Sequence, residues 1–236
     1  MQRYFVSNVN GNISFLESDV FHIQKVMRNK IGDQIQVVYD GKAFLVTIDS
    51  LSPLHVYVNE PILRESELDK EVTIFFPLTK SDKAELVIQK ATELGATKIV
   101  FFRCNRSIIK LDNEAFNKKL IRYQAIAKEA AEQCHRNVMP EIIGVLNIED
   151  IPSYMLENNF VAYELLAGNT TNLFDELNKN HSSTSIIVGP EGGFEQKEVD
   201  ELLSFGFKAV SLGKRILRCE TAAIYTLSVI SFFLEK

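Results

Sequence analysis

Hydrophobic and polar positions follow two different rhythms along this chain. Up to about Asn59 the apolar residues fall in short runs of strand type, Arg3–Ser7, Gln34–Tyr39, Ala43–Ile48 and Leu54–Val58. Turn pairs such as Asn10-Gly11, Gly32-Asp33 and Asp40-Gly41 separate the runs, which predicts a small β-barrel. A single helix is expected near Asp19–Arg28, where Val20, Ile23, Val26 and Met27 recur at helical spacing beside Lys25 and Arg28. Pro61–Lys70 is polar and charged, as a linker would be.

From Val72 the rhythm changes to strands alternating with helices. The segments are Val72–Leu78, Ser81–Leu94, Lys98–Arg103, Asn117–Cys134, Phe160–Leu165, Leu173–Asn178, Ser185–Val188, Glu195–Phe205, Ala209–Leu212 and Glu220–Leu234. Such alternation predicts an α/β domain with a mostly parallel sheet covered by helices. Asp82 and Glu85 have the spacing of a capping box, and Gly95 and Gly206 stand where helices should stop. The boundaries expected are therefore 1–70 and 71–236.

Composition makes this an ordinary globular protein: 46% of its 236 residues are hydrophobic and 24% charged. The most apolar stretch, Ala222–Leu234, is interrupted by Thr226, Ser228 and Ser231 and is too short to span a bilayer. Cys104, Cys134 and Cys219 are odd in number and far apart, which supports neither a disulfide framework nor a zinc site. A cytoplasmic protein without metal or membrane is the expectation. The net charge of −5 divides unevenly: −3 over residues 1–76, +4 over 77–145 and −6 over 146–236. The basic middle gathers Lys98, Arg103, Arg106, Lys110, Lys118, Lys119 and Arg122, which either neutralise phosphates or form a solvated helix face.

Two loops carry most of the chemical interest. GPEGGF, Gly189 to Phe194, follows the apolar run Ile186–Val188 and precedes a helix. Its glycines let bare backbone approach a ligand, and Pro190 stiffens the turn; a ligand-free strand-to-helix turn is the alternative. The chain has no G-x-x-x-x-G-K-[ST] loop and no G-x-G-x-x-G fingerprint, and Glu191 would repel a phosphate, so a cationic ligand suits the loop better. LGKRILRCETA, Leu212 to Ala222, offers the backbone of Leu212 and Gly213, an apolar shelf at Ile216 and Leu217, and the charges of Lys214, Arg215 and Arg218. Glu220 and Thr221 open the next helix, where they serve equally well as caps. On Asn117–Cys134, Glu129, Gln133 and Arg136 share one face, as Lys90 and Glu93 do on the preceding helix; both read as solvated polar faces. His22, His55, His135 and His181 form no hydrolase or metal motif.

At these residues the chain resembles the bacterial 16S ribosomal RNA uridine-N3 methyltransferase family, of the SPOUT class of trefoil-knotted methyltransferases. The resemblance runs nearly end to end through RYFV (Arg3–Val6), FHIQKVMR (Phe21–Arg28), KSDKAELVIQKATELG (Lys80–Gly95), NRSIIK (Asn105–Lys110), IAKEAAEQCHRNVMPEI (Ile126–Ile142), VGPEGGF and SLGKRILRCETAA. Cys219 stands where the family commonly has Thr, and Lys25 and Met27 replace Arg and Leu of an R-V-L-R pattern.

The resemblance implies a PUA-like N-terminal barrel that helps bind RNA. It implies a knotted C-terminal α/β domain, with helices on both faces of its sheet, that binds S-adenosyl-L-methionine and releases S-adenosyl-L-homocysteine. A homodimer acting on 16S rRNA or the small ribosomal subunit, in its decoding region, follows from the same class. The implied cofactor residues are Val188, Gly189, Pro190, Glu191, Gly192, Gly193, Leu212, Gly213, Ile216, Leu217 and Thr221, with Glu164 and Leu165, in the segment Tyr163–Leu165, as a third wall. Arg218 is the expected stabiliser of the uridine anion and Glu220 the candidate base. Arg3, Lys25, Arg28, Lys80, Arg103, Arg106 and Arg136 are the expected RNA contacts.

Overall fold

The computed structural model describes residues 1–9, 11–63, 66–107, 109, 111–166 and 171–235. Asn10 of the first turn pair and Lys110 of the basic segment lie outside the described residues. Two compact units result: Met1–Glu67 with Ala131–Val138, and Leu68–Ala130 with Met139–Lys236. The first unit thus joins Met1–Glu67 to Ala131–Val138 from the middle of the chain.

In that unit, β1 (Arg3–Phe5), β4 (Gln34–Tyr39), β5 (Lys42–Leu51) and β6 (Leu54–Ile62) form a four-stranded sheet in the order β1-β4-β5-β6, while β2 (Ser7–Val9) and β3 (Asn12–Ser14) make a separate hairpin. The alternation that predicted these strands packs Ile35, Val37, Val46, Ile48 and Val56 into one core with Tyr4 and Ile23. The expected helix is split into α1 (Glu17–Phe21) and a π turn, His22–Val26. The wider turn breaks the apolar register: Ile23 is fully buried, whereas Phe21, Val26 and Met27 are exposed.

Arg3 and Arg136, two of the expected RNA contacts, are buried. They are only 4% and 2% exposed. Arg3 donates to Gln36 Oε1 (3.0 Å), Asn137 Oδ1 (2.8 Å) and the Arg136 carbonyl (3.2 Å). Arg136 donates through Nε and Nη2 to Glu67 Oε2 at 2.9 and 2.7 Å, while Glu67 Oε1 accepts the backbone N–H of Asn137 at 2.7 Å. Guanidinium groups paired in this way join segments of one unit that are far apart in sequence.

The second unit is built on β7 (Val72–Pro77), β8 (Lys98–Phe102), β9 (Glu141–Leu146), β10 (Asn158–Ala162), β11 (Thr184–Ile187) and β12 (Lys208–Val210). All pair in parallel, in the order β12-β10-β11-β7-β8-β9. Phe160, Ile186, Ile74, Ile99 and Ile142 stand abreast across five of these strands. One face packs Ile74, Phe76 and Phe101 against α2 (Ser81–Glu93), α3 (Asn113–Gln133) and α6 (Cys219–Leu234). The other packs Phe75, Val100 and Ile187 against α5 (Gln196–Ser204) and the 3₁₀ segment Ile148–Tyr154. A short α4 (Leu173–Leu177) packs with the first cluster. Burial on both faces is why β7 is apolar at nearly every position.

Local signals fare unevenly. Gly95 and Gly206 end their helices, where the N–H of the residue after each bonds back to Ala91 and Leu202 carbonyls at 2.9 and 3.1 Å. The expected capping box does not form: Lys80 is the N-cap, and Glu85 instead receives both arms of Arg122 at 2.6 Å. β9 and the 3₁₀ segment were not anticipated.

Candidate active site

β12, β10 and β11 are adjacent strands, and the loops leaving their carboxyl ends converge on one cleft of about 530 Å³. Crevices at such ends are where open α/β sheets bind ligands, and this volume suits a small organic ligand. The β11 loop contributes Gly189, Pro190, Glu191, Gly192 and Gly193, and the β12 loop Leu212, Gly213, Ile216, Leu217 and Arg218. Ala162, Tyr163 and Glu164, leaving β10, form the third wall.

The loop sequence is dictated by close approach. Gly193 has φ 69°, and a Cβ there would overlap the carboxylate of Glu164. A Cβ on Gly192 would stand 3.2 Å from the Arg106 carbonyl, and the Arg106 guanidinium donates to the Gly192 carbonyl at 3.3 Å. Behind the loop, Glu198 caps α5: its carboxylate accepts the N–H of Glu195 and of Asn105, each at 2.8 Å. Stiff support of this kind fixes the backbone that faces the cleft.

Three expected cofactor residues lie off the lining. Val188 is fully buried beneath the loop, with its N–H bonded to the Phe75 carbonyl at 3.2 Å. Leu165 is 73% exposed in the 3₁₀ turn Glu164–Leu166. Thr221 is exposed on α6 and lines a separate apolar groove with Phe174, Tyr225 and Phe232.

Lys83 was not anticipated. From the first turn of α2 it lines the cleft, and its Nζ lies 3.0 Å from Glu191 Oε1 and 3.2 Å from Glu220 Oε2. More than a hundred residues separate it from either partner, and its motif carries several lysines, so spacing does not single it out. The pair with Glu191, against the cost of burial and helped by Glu220, raises the Lys83 pKa. Burial pushes the Glu220 carboxyl up, but its own backbone N–H, the Cys219 thiol and Lys83 pull harder and leave it below the usual glutamate range. The Cys219 thiol donates to Glu220 Oε2 at 3.1 Å, and burial with that carboxylate pushes it up to about 12. Glu220 is thus a paired carboxylate in the first turn of α6, a weak proton acceptor.

Of the expected RNA contacts, Lys25, Arg28 and Lys80 are exposed. Arg106 is half-exposed and lies 3.8 Å from Glu195. Arg103 is bound inward, to the carbonyls of Val145 and Leu111 and the side chains of Asn147 and Asn113 at 3.2–3.3 Å. Much of the basic middle segment is locally neutralised, Lys98 by Glu71, Lys118 by Glu114 and Arg122 by Glu85. Among the described residues no group of His, Cys, Asp and Glu could hold a metal ion, and no helix is long and apolar enough to cross a membrane.

Fold and cleft together define an RNA methyltransferase: the model of the RNA methyltransferase domain matches residues 66–231, and that of the RNA methyltransferase PUA domain matches residues 16–60. Ribosomal RNA small subunit methyltransferase E of Bacillus subtilis is 38% identical over 255 aligned positions, covering 100% of this chain and 98% of that protein. Its namesake in Mesomycoplasma hyopneumoniae is 33% identical, with 97% and 98% covered. The crystal structure of ribosomal RNA small subunit methyltransferase E from Neisseria gonorrhoeae, bound to S-adenosyl methionine, superposes with a TM-score of 0.86 at 25% identity, covering 98% of this chain and 97% of that one. The chain belongs to the ribosomal RNA small subunit methyltransferase E family.

Proposed function

We propose that this protein binds S-adenosyl-L-methionine in the cleft and methylates N3 of a uridine in the decoding region of 16S rRNA, in the cytoplasm and as a homodimer. The observation that carries the reading is the cradle made by the β11 and β12 loops, seated in a chain of this family. The residues present fit the cofactor. Backbone of Gly189–Gly193 and Leu212–Gly213 offers hydrogen-bonding groups, Pro190, Ile216 and Leu217 give an apolar surface, and the carboxylates of Glu164 and Glu191 suit a cation.

When bound, the cofactor supplies an electrophilic sulfonium methyl. What remains for the protein is to orient the acceptor and stabilise the charge that builds on the uracil carbonyl oxygens as N3 gives up its proton. Arg218 takes that role in this reading, which its position in the cleft lining, its exposed side chain and its fixed positive charge support. Glu220, the candidate base, is ionised and so able to accept the N3 proton, but its contacts with Lys83 and Cys219 weaken it as an acceptor, and water is the alternative acceptor.

The apolar groove on α6, where Phe174, Tyr225 and Phe232 are exposed beside Ile224, supports a second copy as its cover. The strand order β12-β10-β11 supports a trefoil-knotted chain path at the cofactor loops. Calorimetric titration with S-adenosylmethionine, paired with mapping of N3-methyluridine in 16S rRNA from a strain lacking the gene, tests the reading. Loss of one N3-methyluridine and its return on complementation is the expected result; full methylation in the deletion strain refutes it.

A further inference from the structure

We propose that Lys83 sets the preference of the cofactor cleft between the charged methyl donor and its uncharged-sulfur product. The inference rests on the reading that this cleft takes S-adenosylmethionine. Donor and product share every group but one, the methyl on sulfur, and with it one positive charge. Contacts common to both cancel from the ratio of their affinities, which leaves the electrostatic potential at the sulfur as the main determinant.

That potential is set by a small set of groups. Glu191 from the β11 loop and Glu220 from the start of α6 both turn to Lys83, whose ammonium lies between them at 3.0 and 3.2 Å. Their side chains are 22%, 23% and 15% exposed for Lys83, Glu191 and Glu220, so solvent screens them only in part. Cys219, in contact with Glu220, stays a neutral thiol. Glu164, Arg215 and Arg218 line the cleft with Lys83 and Glu191, and Glu220, off the lining, joins them through its contact with Lys83. With Lys83 present the cluster of Lys83, Glu191 and Glu220 carries one net negative charge; without it, two.

The reaction gives this charge count a purpose. Methyl transfer would form a carbon–nitrogen bond at the acceptor N3 and break the carbon–sulfur bond, whose electron pair would stay on sulfur, so that the sulfur would pass from cationic to neutral. A cleft too rich in unpaired carboxylate would therefore stabilise the bound donor more than the transition state, which tightens binding without raising the rate. Lys83 offsets that excess. It also leaves the product, which has lost its positive sulfur, at less of a disadvantage relative to the donor.

The test is the ratio of dissociation constants, product over donor, measured by calorimetric titration of S-adenosylhomocysteine and S-adenosylmethionine. Relative to the unmodified protein, Lys83→Met should raise the ratio about fivefold at low salt, and less at high salt. Glu191→Gln, which leaves the Lys83 charge in place, should lower it by a similar factor. Lys83→Met combined with Glu191→Gln should return it near the starting value, and Lys83→Arg should keep it there. A ratio unmoved by Lys83→Met while both ligands bind overturns the proposal, as does an equal weakening of both, because a clamp between loop and helix would act alike on each. If Lys83→Met does not fold, Glu191→Gln decides, and an unchanged ratio there also overturns it. Failure of the unmodified protein to bind either ligand refutes the cofactor reading instead.

Discussion

The carboxylate of Glu164 occupies the place where a side chain on Gly193 would begin, with its Cδ 3.2 Å from that position. Two loops that leave adjacent strands are thereby held in contact at the mouth of the cleft. Gly193→Ala forces either loop to retreat and adds the strain of a positive φ, roughly 1–2 kcal/mol. Affinity for S-adenosylmethionine should fall at least tenfold while the melting temperature drops by a few degrees. Unchanged affinity in a folded variant would mean that the contact is incidental to binding.

A second expectation concerns Arg136 and Glu67. The guanidinium is almost fully buried and bound through two nitrogens to one carboxylate oxygen. Removing one partner of such a pair leaves the other uncompensated, at a cost of about 3 kcal/mol. Arg136→Met should therefore lower the denaturant midpoint clearly, and Glu67→Gln should do so to a smaller degree because Glu67 is partly exposed. RNA binding by whatever fraction remains folded should keep its salt dependence, which would not hold if Arg136 touched phosphate.

The lowered pKa of Glu220 makes a pH prediction with a definite sign. A carboxyl held below its ordinary range in the folded state contributes stability above the unfolded-state range and loses it as pH falls through the folded value. The protein should lose stability in acid, below the usual glutamate range, and Glu220→Gln should flatten that loss. The same variant should keep most of its single-turnover rate at neutral pH, and a loss of about 10²-fold or more would establish Glu220 as the base.

How much of this was legible in the sequence depends on distance along the chain. β7 and β11 announce themselves because both faces are buried, and the loop after β11 because its glycines and Pro190 are clustered. β9 hides behind Gly144 in its middle, and the π turn His22–Val26 shifts by one residue a register that periodicity takes as regular. Partnerships across long separations leave no local trace: Arg3 with Asn137, Arg136 with Glu67, and Lys83 with Glu191 and Glu220. A basic residue reads as available until its carboxylate is found. For that reason several expected RNA contacts turn out to be paired, whereas most of the expected cofactor residues, contiguous in two loops, line one cleft.

Of the exposed cations expected to contact RNA, Lys25 and Arg28 lie on one short segment of the first unit, with Phe21, Val26 and Met27 exposed beside them. Charge-removing changes at both should weaken RNA binding and reduce the slope of log affinity against log salt by about 1–2, as expected for the loss of two phosphate contacts. Arg218 should behave in the opposite way. Arg218→Ala should bind S-adenosylmethionine and RNA nearly as before and lose roughly 10²- to 10³-fold in methyl transfer, because its contribution is to the charge of the transition state. Single-turnover kinetics at saturating RNA separate the two cases, since higher RNA concentration rescues a defect in binding but not one in the chemical step. Full rescue of Arg218→Ala by added RNA would move that residue from catalysis to substrate capture.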